Sequence, residues 1–226
     1  MQITRNTIDV LKNFSEINSS ILVEEGNTIK TISPMKNILA KADVGDAFEQ
    51  RFAIYDLIEF LNVATSSVFS GADFSFGENF VVIENGSAKS KYFYADESTI
   101  VTPTKQLTMP DAEISFTLKE EDFATLKSMA GVLAKPDLVV RSDGGDIVIS
   151  VLDKKDATTN DFDLCVGDGD GSSYKQYFKS ENLKLFKGNY DVNISSKGIS
   201  HFKNIDVDVE YWIALEPDSE YTKGGE

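Results

Sequence analysis

One amphipathic stretch constrains the fold of this chain more than any other. Residues 4–18 carry apolar side chains at the three-residue spacing that places them on one face of an α-helix. A short side-chain oxygen at Thr4 or Asn6 is suited to cap its start, because it can accept a hydrogen bond from an amide of the first turn. The spacing predicts a helix that buries one face, formed by Ile8, Leu11, Phe14 and Ile17.

A leucine followed by a polar residue recurs in the middle of four predicted helices. These helices are predicted to begin near residues 4, 55, 119 and 180, the last running through Phe186. Short alternating runs that indicate strands separate them. The chain therefore reads as one helix plus a group of strands, repeated four times. The four pairs are Leu11-Lys12, Leu61-Asn62, Leu126-Lys127 and Leu183-Lys184.

This repeat predicts the α+β class, with mostly antiparallel sheets and all helices on one face. Two similar domains are expected, each a doubled helix-plus-strands unit, at residues 1–95 and 111–226. The segment 96–110 contains two prolines and no clear period, which is typical of a linker. Asn85-Gly86 is the strongest hairpin signal, Gly167–Gly171 also reads as a hairpin turn, and the polar tail 216–226 is expected to fray.

Charge and composition narrow the functional classes. The 226 residues are 41% hydrophobic, enough for one large core or two of ordinary size. A net charge of −15 argues against a simple nucleic-acid binder. The charge is uneven, however: residues 175–187 hold four Lys against one Glu, whereas residues 205–226 hold seven acids against one Lys.

No catalytic, cofactor or metal site is predicted, so an enzyme is not expected. His201 and Cys165 are the only residues of their types, which excludes His-dependent triads, multi-His metal sites and an internal disulfide. The Gly167–Gly171 loop lacks the later ligands of a calcium-binding EF-hand, and no phosphate-binding P-loop is present. The absence of a long apolar run or signal-peptide core predicts no membrane partner and a cytoplasmic protein.

Several stretches resemble the DNA polymerase sliding clamps of T-even-type tailed bacteriophages. The similar stretches are Leu11-Lys12-Asn13-Phe14 with Ile17-Asn18-Ser19, then Ala53-Ile54-Tyr55-Asp56-Leu57, then Ala214 to Ser219. The Gly167-Asp168 turn is also similar, and chain length, helix placement and midpoint linker agree throughout. Residues 71–86 and 153–163 match this family poorly.

The resemblance implies the DNA clamp fold and a homotrimeric ring around double-stranded DNA, bound without regard to sequence. Twelve helices would line the hole of this ring. A clamp-loader ATPase would open it, and the replicative DNA polymerase would be tethered through a short C-terminal peptide for processive synthesis. Late-transcription factors would use the same face, in the cytoplasm of the infected bacterial host.

Candidate site residues follow from this expected role. A sliding ring must contact phosphates without reading bases, so its lining should present Lys and Arg. Ordinary solvated helix faces remain the alternative explanation of these cations. The DNA-facing candidates are Arg5, Lys12, Lys119, Lys127, Lys179, Lys184 and Lys187.

Two further sets are carried over from the resemblance. Aromatic runs also fit a buried central strand, and Pro217 could equally just end a strand. The subunit-interface candidates are Tyr92, Phe93 and Tyr94 on one strand, and Leu164, Cys165 and Val166 on another. The candidates for a pocket that binds partner peptides are Met109, Pro110, Leu215 and Pro217.

A structural virion protein, such as a tail-tube or baseplate subunit, is the alternative function. It would share the acidic, strand-rich composition and the missing catalytic residues. It would form stacks or hexamers instead of a closed trimer, and it has no need of four helices with outward lysines.

Overall fold

The computed structural model describes residues 1–104, 107–156 and 158–224 of the chain. The chain divides into two compact units, Met1–Gln106 and Leu107–Glu226. The division falls inside the segment 96–110, and the domain limits of 1–95 and 111–226 remain predictions. The start of that segment packs on the first unit, because Ile100 is buried against Leu22 and Ala53.

The described part of the first unit contains two α-helices and seven antiparallel strands. β1 pairs with β4, β2 pairs with β3, and β5, β6 and β7 form a three-stranded meander. The elements are α1 (Arg5–Ile17), β1 (Ile21–Val23), β2 (Gly26–Ile32), β3 (Ile38–Phe48), β4 (Phe52–Ile54), α2 (Leu57–Ala64), β5 (Asp73–Phe76), β6 (Phe80–Asn85) and β7 (Ala88–Phe93). Short 3-10 turns occupy Ser67–Phe69 and Glu97–Thr99.

Helix α1 forms as its periodicity predicts. All four predicted apolar residues are buried. Thr4 is the cap, since its side-chain oxygen accepts a hydrogen bond from the Thr7 amide. The amide and hydroxyl of Thr4 in turn donate to the Asp46 carboxylate at 2.7 and 2.8 Å. A contact remote in sequence therefore holds the start of the helix, a detail that periodicity does not contain.

Two strand predictions in the first unit have different outcomes. The hairpin at Asn85-Gly86 is confirmed, since β6 and β7 pair up to Asn85 and Ala88, and Gly86 adopts a φ of 60°. The sequence pattern predicts a third strand over 37–43 and a fourth over 48–54. Instead β3 continues through Phe48, because its alternation of buried and outward residues is unbroken to that point.

The second unit contains one α-helix and nine described strands. One ladder runs β8-β13-β14-β15, and one sheet has the order β11-β10-β9-β12-β16, with every pair antiparallel. The elements are β8 (Ile114–Leu118), α3 (Glu120–Leu133), β9 (Asp137–Asp143), β10 (Ile147–Leu152), β11 (Phe162–Gly167), β12 (Ser173–Lys179), β13 (Tyr190–Ser195), β14 (Ile199–Asn204), β15 (Val209–Ala214) and β16 (Glu220–Thr222).

The predicted fourth helix, 180–186, is wrong. Only Ser180–Asn182 forms a 3-10 turn, and no helix follows it as far as residue 224, where the described part of the chain ends. Two tyrosine hydroxyls take the backbone groups that a helix would use. Tyr211 accepts from the Phe186 amide at 3.0 Å, and Tyr190 donates to the Phe186 carbonyl at 2.6 Å. These tertiary contacts outweigh the local helical spacing.

Two other loop predictions are also wrong. The Gly167–Gly171 loop is not a hairpin turn, because β11 pairs with β10 whereas β12 pairs with β9. The loop passes so close to the β9–β10 turn that a Cβ at Gly169 would clash with the Gly145 carbonyl oxygen. The C-terminal tail is not uniformly frayed, since β16 pairs with β12.

The predicted α+β class with antiparallel sheets is confirmed. The four leucines of the repeated pairs are all buried, with exposed fractions between 0% and 5%. The helical pattern therefore identifies core positions correctly, even at Leu183 where no helix forms. None of the helices in the described ranges combines the length and hydropathy that crossing a membrane requires.

Candidate nucleic-acid interface

Helix α1 presents two candidate cations on its solvent face. Arg5 begins the helix with 94% of its side chain exposed, and Lys12 is exposed two turns later. The Arg5 guanidinium lies 3.8 Å from the Asp9 carboxylate, a surface pair of little energetic weight. Both cations can therefore turn toward an external anion.

Helix α3 presents Lys127 at its centre and Lys119 at its cap position. Both side chains are exposed, and the Lys127 ammonium lies 5.7 Å from the centre of the Phe123 ring. Three acidic residues fill the first turn of the helix, directly after Lys119. These acids interact favourably with the positive N-terminal end of the helix dipole, but they repel phosphate. Lys127 is therefore the better placed of the two for a phosphate contact.

The region around residue 180 differs from the expected helix of outward lysines. Lys179 lies on β12 with only 26% of its side chain exposed, and its ammonium is 2.5 Å from the Asp137 carboxylate, which is 1% exposed. Lys184 is half-buried, whereas Lys187 is exposed near the Phe186 ring. The structure thus commits Lys179 to an internal ion pair.

Helix α2 has no cation to offer. Its outward residues are Ile58, Glu59 and Asn62, and Asp56 caps it by accepting from the Glu59 amide at 2.8 Å. Phosphate would be repelled by Glu59. The four repeated segments are therefore unequal, and the exposed cations concentrate on α1 and α3.

The first set of interface candidates lies at an edge of the β5-β6-β7 sheet. Among the described residues β7 pairs with β6 alone, so it is not a buried central strand. Phe93 is 67% exposed, whereas Tyr92 packs on Phe60 and donates to the Asp56 carbonyl at 2.9 Å. Burial and the neighbouring Glu59 carboxylate raise the pKa of Tyr92 to about 12. Tyr94, just beyond the strand, stacks on Phe52.

The second set lies on β11, at an edge of the five-stranded sheet. Within the described ranges β11 pairs only with β10. Cys165 is exposed, and Leu164 and Val166 are half-buried. An edge strand carries unpaired backbone donors and acceptors that another chain can bond. The structure therefore places both candidate sets on edges, which the aromatic pattern alone left open.

The four candidate pocket residues differ in solvent exposure. Leu215 is buried, Pro217 is exposed, and Met109 and Pro110 are half-buried. Lys154, which sequence reasoning missed, holds the segment around Pro217. Its ammonium lies 3.2 Å from Glu216 and 2.8 Å from Asp218.

Comparisons with known proteins agree with this architecture. The family model described as gp45 sliding clamp, C terminal, matches residues 115–217. The sliding clamp of Vibrio phage KVP40 is 33% identical over 223 residues, covering 96% of this chain and 99% of that protein. The chain belongs to the sliding clamp family. The sliding clamp of Escherichia phage RB69 is 31% identical over 228 residues, covering 97% of this chain and 98% of the phage protein.

A solved structure supports the fold of this clamp. PCNA of A. fulgidus, with the C-terminal region of FEN-1 bound to it, superposes with a TM-score of 0.69 at 16% identity. The match covers 94% of this chain and 96% of that one. At this identity the similarity bears on the fold alone, and the fold it indicates is that of DNA clamps.

Other residues of interest were not singled out from the sequence. Lys89 and Lys91 are exposed on β7, and Asp161 and Asp163 are exposed at β11. The sequence signal for these residues is the alternation of like charges with less polar residues along each strand. It carries weight only once both strands are known to be edges.

Proposed function

We propose that this clamp assembles into a homotrimeric ring that encircles duplex DNA and tethers the replicative DNA polymerase for processive synthesis. One observation carries the proposal: a chain of net charge −15 exposes Arg5, Lys12 and Lys127 on two helices. Contacts from such cations to phosphates add affinity without sequence preference. The protein acts as a scaffold and not as an enzyme.

The acidic remainder of the surface supports the same role. Negative charge repels DNA from most of the protein, so a cation-lined hole is the favourable place for the duplex. Electrostatic contacts of this kind are diffuse, and they let a ring slide along the axis. Lys12 and Lys127 are the main contacts, Arg5, Lys119 and Lys187 are secondary, and Lys184 is peripheral.

The ring closes through head-to-tail contacts between β7 of one copy and β11 of the next. Heterologous contacts of this kind form a closed ring when their rotation permits it. Both strands lie at sheet edges, which supports their use in this contact. The linker 96–110 then connects two domains of one subunit, and the segment around Leu215 and Pro217 receives partner peptides.

The ring requires partners that open it and use it. A clamp-loader ATPase places it on DNA in the infected bacterial host, and late-transcription factors share the face that binds the polymerase. Membership in the sliding clamp family supports the proposal of these partners, and each can be tested by binding to the isolated ring.

The test separates assembly from DNA contact. Light scattering coupled to size exclusion should give three times 25.0 kDa, falling toward one subunit on dilution. Lys12→Glu with Lys127→Glu should keep that mass and lower processive synthesis on primed circular DNA, with loader and polymerase present, by about tenfold or more. Lys36→Glu with Lys197→Glu is the control, because it changes the net charge equally at two exposed turn residues.

Two results would contradict the proposal. A monomer at every concentration, or open-ended polymers, would rule out the trimeric ring and favour the virion-protein alternative. A normal trimer whose processivity is the same in the helix variant and in the control would rule out the lining by α1 and α3.

A further inference from the structure

The two edge strands carry opposite charges on their exposed sides. Along β7 every second residue is exposed, and two of these are Lys89 and Lys91. Along β11 the exposed positions include Asp163, and the exposed Asp161 precedes the strand by one residue. The half-buried residues that alternate with them are less polar.

In both sheets the charged side chains lie on the face away from the core. On β7, Lys91 pairs across from the half-buried Val82, whereas Tyr92 pairs with the buried Val81. On β11, Leu164 pairs with the buried Ile149, and Asp163 pairs on the other face with Ser150, which is buried beneath the side chains of Arg141 and Asp163 that bond to it. Successive residues of a strand alternate between faces, so these registers fix the side of each charge.

Joining the two edges brings the charges together. A strand added to a sheet edge keeps its apolar face on the core side, because the opposite arrangement would expose that face. The outer faces of β7 and β11 therefore become continuous, with lysines of one copy beside aspartates of the next. Opposite charges on facing strands attract, and like charges repel.

We propose that ring assembly is keyed by charge, with Lys89 and Lys91 on β7 of one copy facing Asp161 and Asp163 on the next. This inference rests on the proposed ring and names the residues that select its partner. Two β7 edges would place lysine beside lysine, and two β11 edges would place aspartate beside aspartate. The charges thus disfavour two-fold dimers and favour head-to-tail closure.

Three of the four side chains already have contacts within their own subunit. The Asp163 carboxylate accepts from Arg141 at 2.7 Å and from the Ser150 hydroxyl at 2.6 Å. The Lys91 ammonium lies 4.8 Å from the centre of the Phe80 ring, and Lys89 pairs with Glu84. Asp161 is exposed and precedes the strand, so it is the more available acceptor. Groups held in place lose less entropy on association.

The test reverses each charged edge and then both. Lys89→Glu with Lys91→Glu should raise the trimer dissociation constant about tenfold or more, measured by sedimentation velocity across concentrations. Adding Asp161→Lys and Asp163→Lys to the same chain should recover most of that loss. Because Asp163 binds Arg141, Asp161→Lys alone is included as a milder reversal. Circular dichroism checks that each variant folds.

A control variant separates a failure of the charge pairing from a failure of the ring itself. Lys36→Glu with Lys197→Glu changes the net charge equally away from both edges, and it should leave the dissociation constant within about twofold of wild type. A wild-type trimer that β7 reversal weakens no more than this control would overturn the charge key and leave the ring standing. A wild-type monomer throughout would overturn the ring and the key together.

Discussion

The Lys179 ammonium donates to the Asp137 carboxylate at 2.5 Å, and this carboxylate is almost completely buried. The second oxygen of Asp137 accepts from the Lys154 amide at 3.0 Å. Lys179 thus compensates a buried charge at the junction of β9 and β12, which pair at these residues. Its position in a basic stretch of sequence had suggested a DNA contact.

Lys179→Met should destabilise the fold without affecting DNA contact. Removal of Lys179 leaves the Asp137 charge buried with one remaining donor, and the expected loss is about 2–4 kcal/mol of unfolding free energy. Urea denaturation at one fixed protein concentration measures it, because assembly also affects stability. Lys127→Met is the matched control and should change stability by less than about 0.5 kcal/mol. Equal stabilities of the two variants would contradict the internal role of Lys179.

Asn189→Ala should weaken the start of α3. The Asn189 side-chain oxygen accepts from the Glu120 amide at 3.1 Å, which replaces a cap that Lys119 does not supply. Loss of such a cap costs about 1 kcal/mol. Denaturant unfolding of Asn189→Ala and of Asn62→Ala, an exposed helical control, compares the two sites. A loss at Asn62 equal to that at Asn189 would show that the cap contributes nothing.

The Lys154 ion pairs should make stability depend on pH at both extremes. The Lys154 hydrogen bond holds the pKa of Asp218 below its ordinary value of 3.8. Burial tends to lower the pKa of Lys154, but hydrogen bonds to Asp218 and Glu216 outweigh it and raise the pKa above 10.5. The contribution from Asp218 is therefore present above pH 3.8 and lost as pH falls through the lower folded value. The contribution from Lys154 is present below pH 10.5 and lost above the raised value.

The measurement compares wild type with Lys154→Met by urea unfolding at pH 3, 7 and 11. The difference in unfolding free energy should be largest at pH 7 and smaller at both extremes. A difference that is constant with pH would assign the effect of the substitution to packing on Tyr177, whose ring lies 5.4 Å from the ammonium.

The C-terminal strand β16 should be protected from hydrogen exchange through Tyr221. The Tyr221 ring lies 6.2 Å from that of Tyr174, and its hydroxyl is 3.2 Å from the Ser172 hydroxyl. Tyr221→Ala should speed exchange of residues 220–222 by about tenfold, because Tyr221 is the central residue of this three-residue strand and its ring packs on Tyr174. Tyr221→Phe keeps the ring and should lose much less protection. Equal exchange in both variants would show that the ring does not hold the strand.

The family resemblance and the main elements could be predicted from particular local patterns. The spacing of Ile8, Leu11, Phe14 and Ile17 determines α1, because a period near 3.6 leaves one way to bury that face. Asn85-Gly86 determines the β6–β7 hairpin, because its turn needs a backbone conformation that Gly tolerates. These features depend on residues close in sequence, so the sequence by itself was sufficient.

Only the tertiary structure determines which contacts the lysines of the basic stretch make. These four lysines look equivalent in sequence, yet Lys179 ends in an ion pair with a buried carboxylate. The expected helix is replaced by hydrogen bonds between the Phe186 backbone and the hydroxyls of Tyr190 and Tyr211. The Gly167–Gly171 loop likewise resembles a hairpin turn but crosses to the far side of β9. Strand order and ion-pair choice depend on partners far along the chain, whose desolvation outweighs local preference.

Sequence alone therefore determined the periods, the buried leucines and the acidic balance of this clamp. Tertiary structure decided which strands are edges and which charged residues remain exposed on them. The physical reason is that an edge is defined by a missing neighbour, and a local pattern cannot report which neighbour a strand lacks. The proposed role of Lys89 and Asp161 in assembly depends on that arrangement of strands.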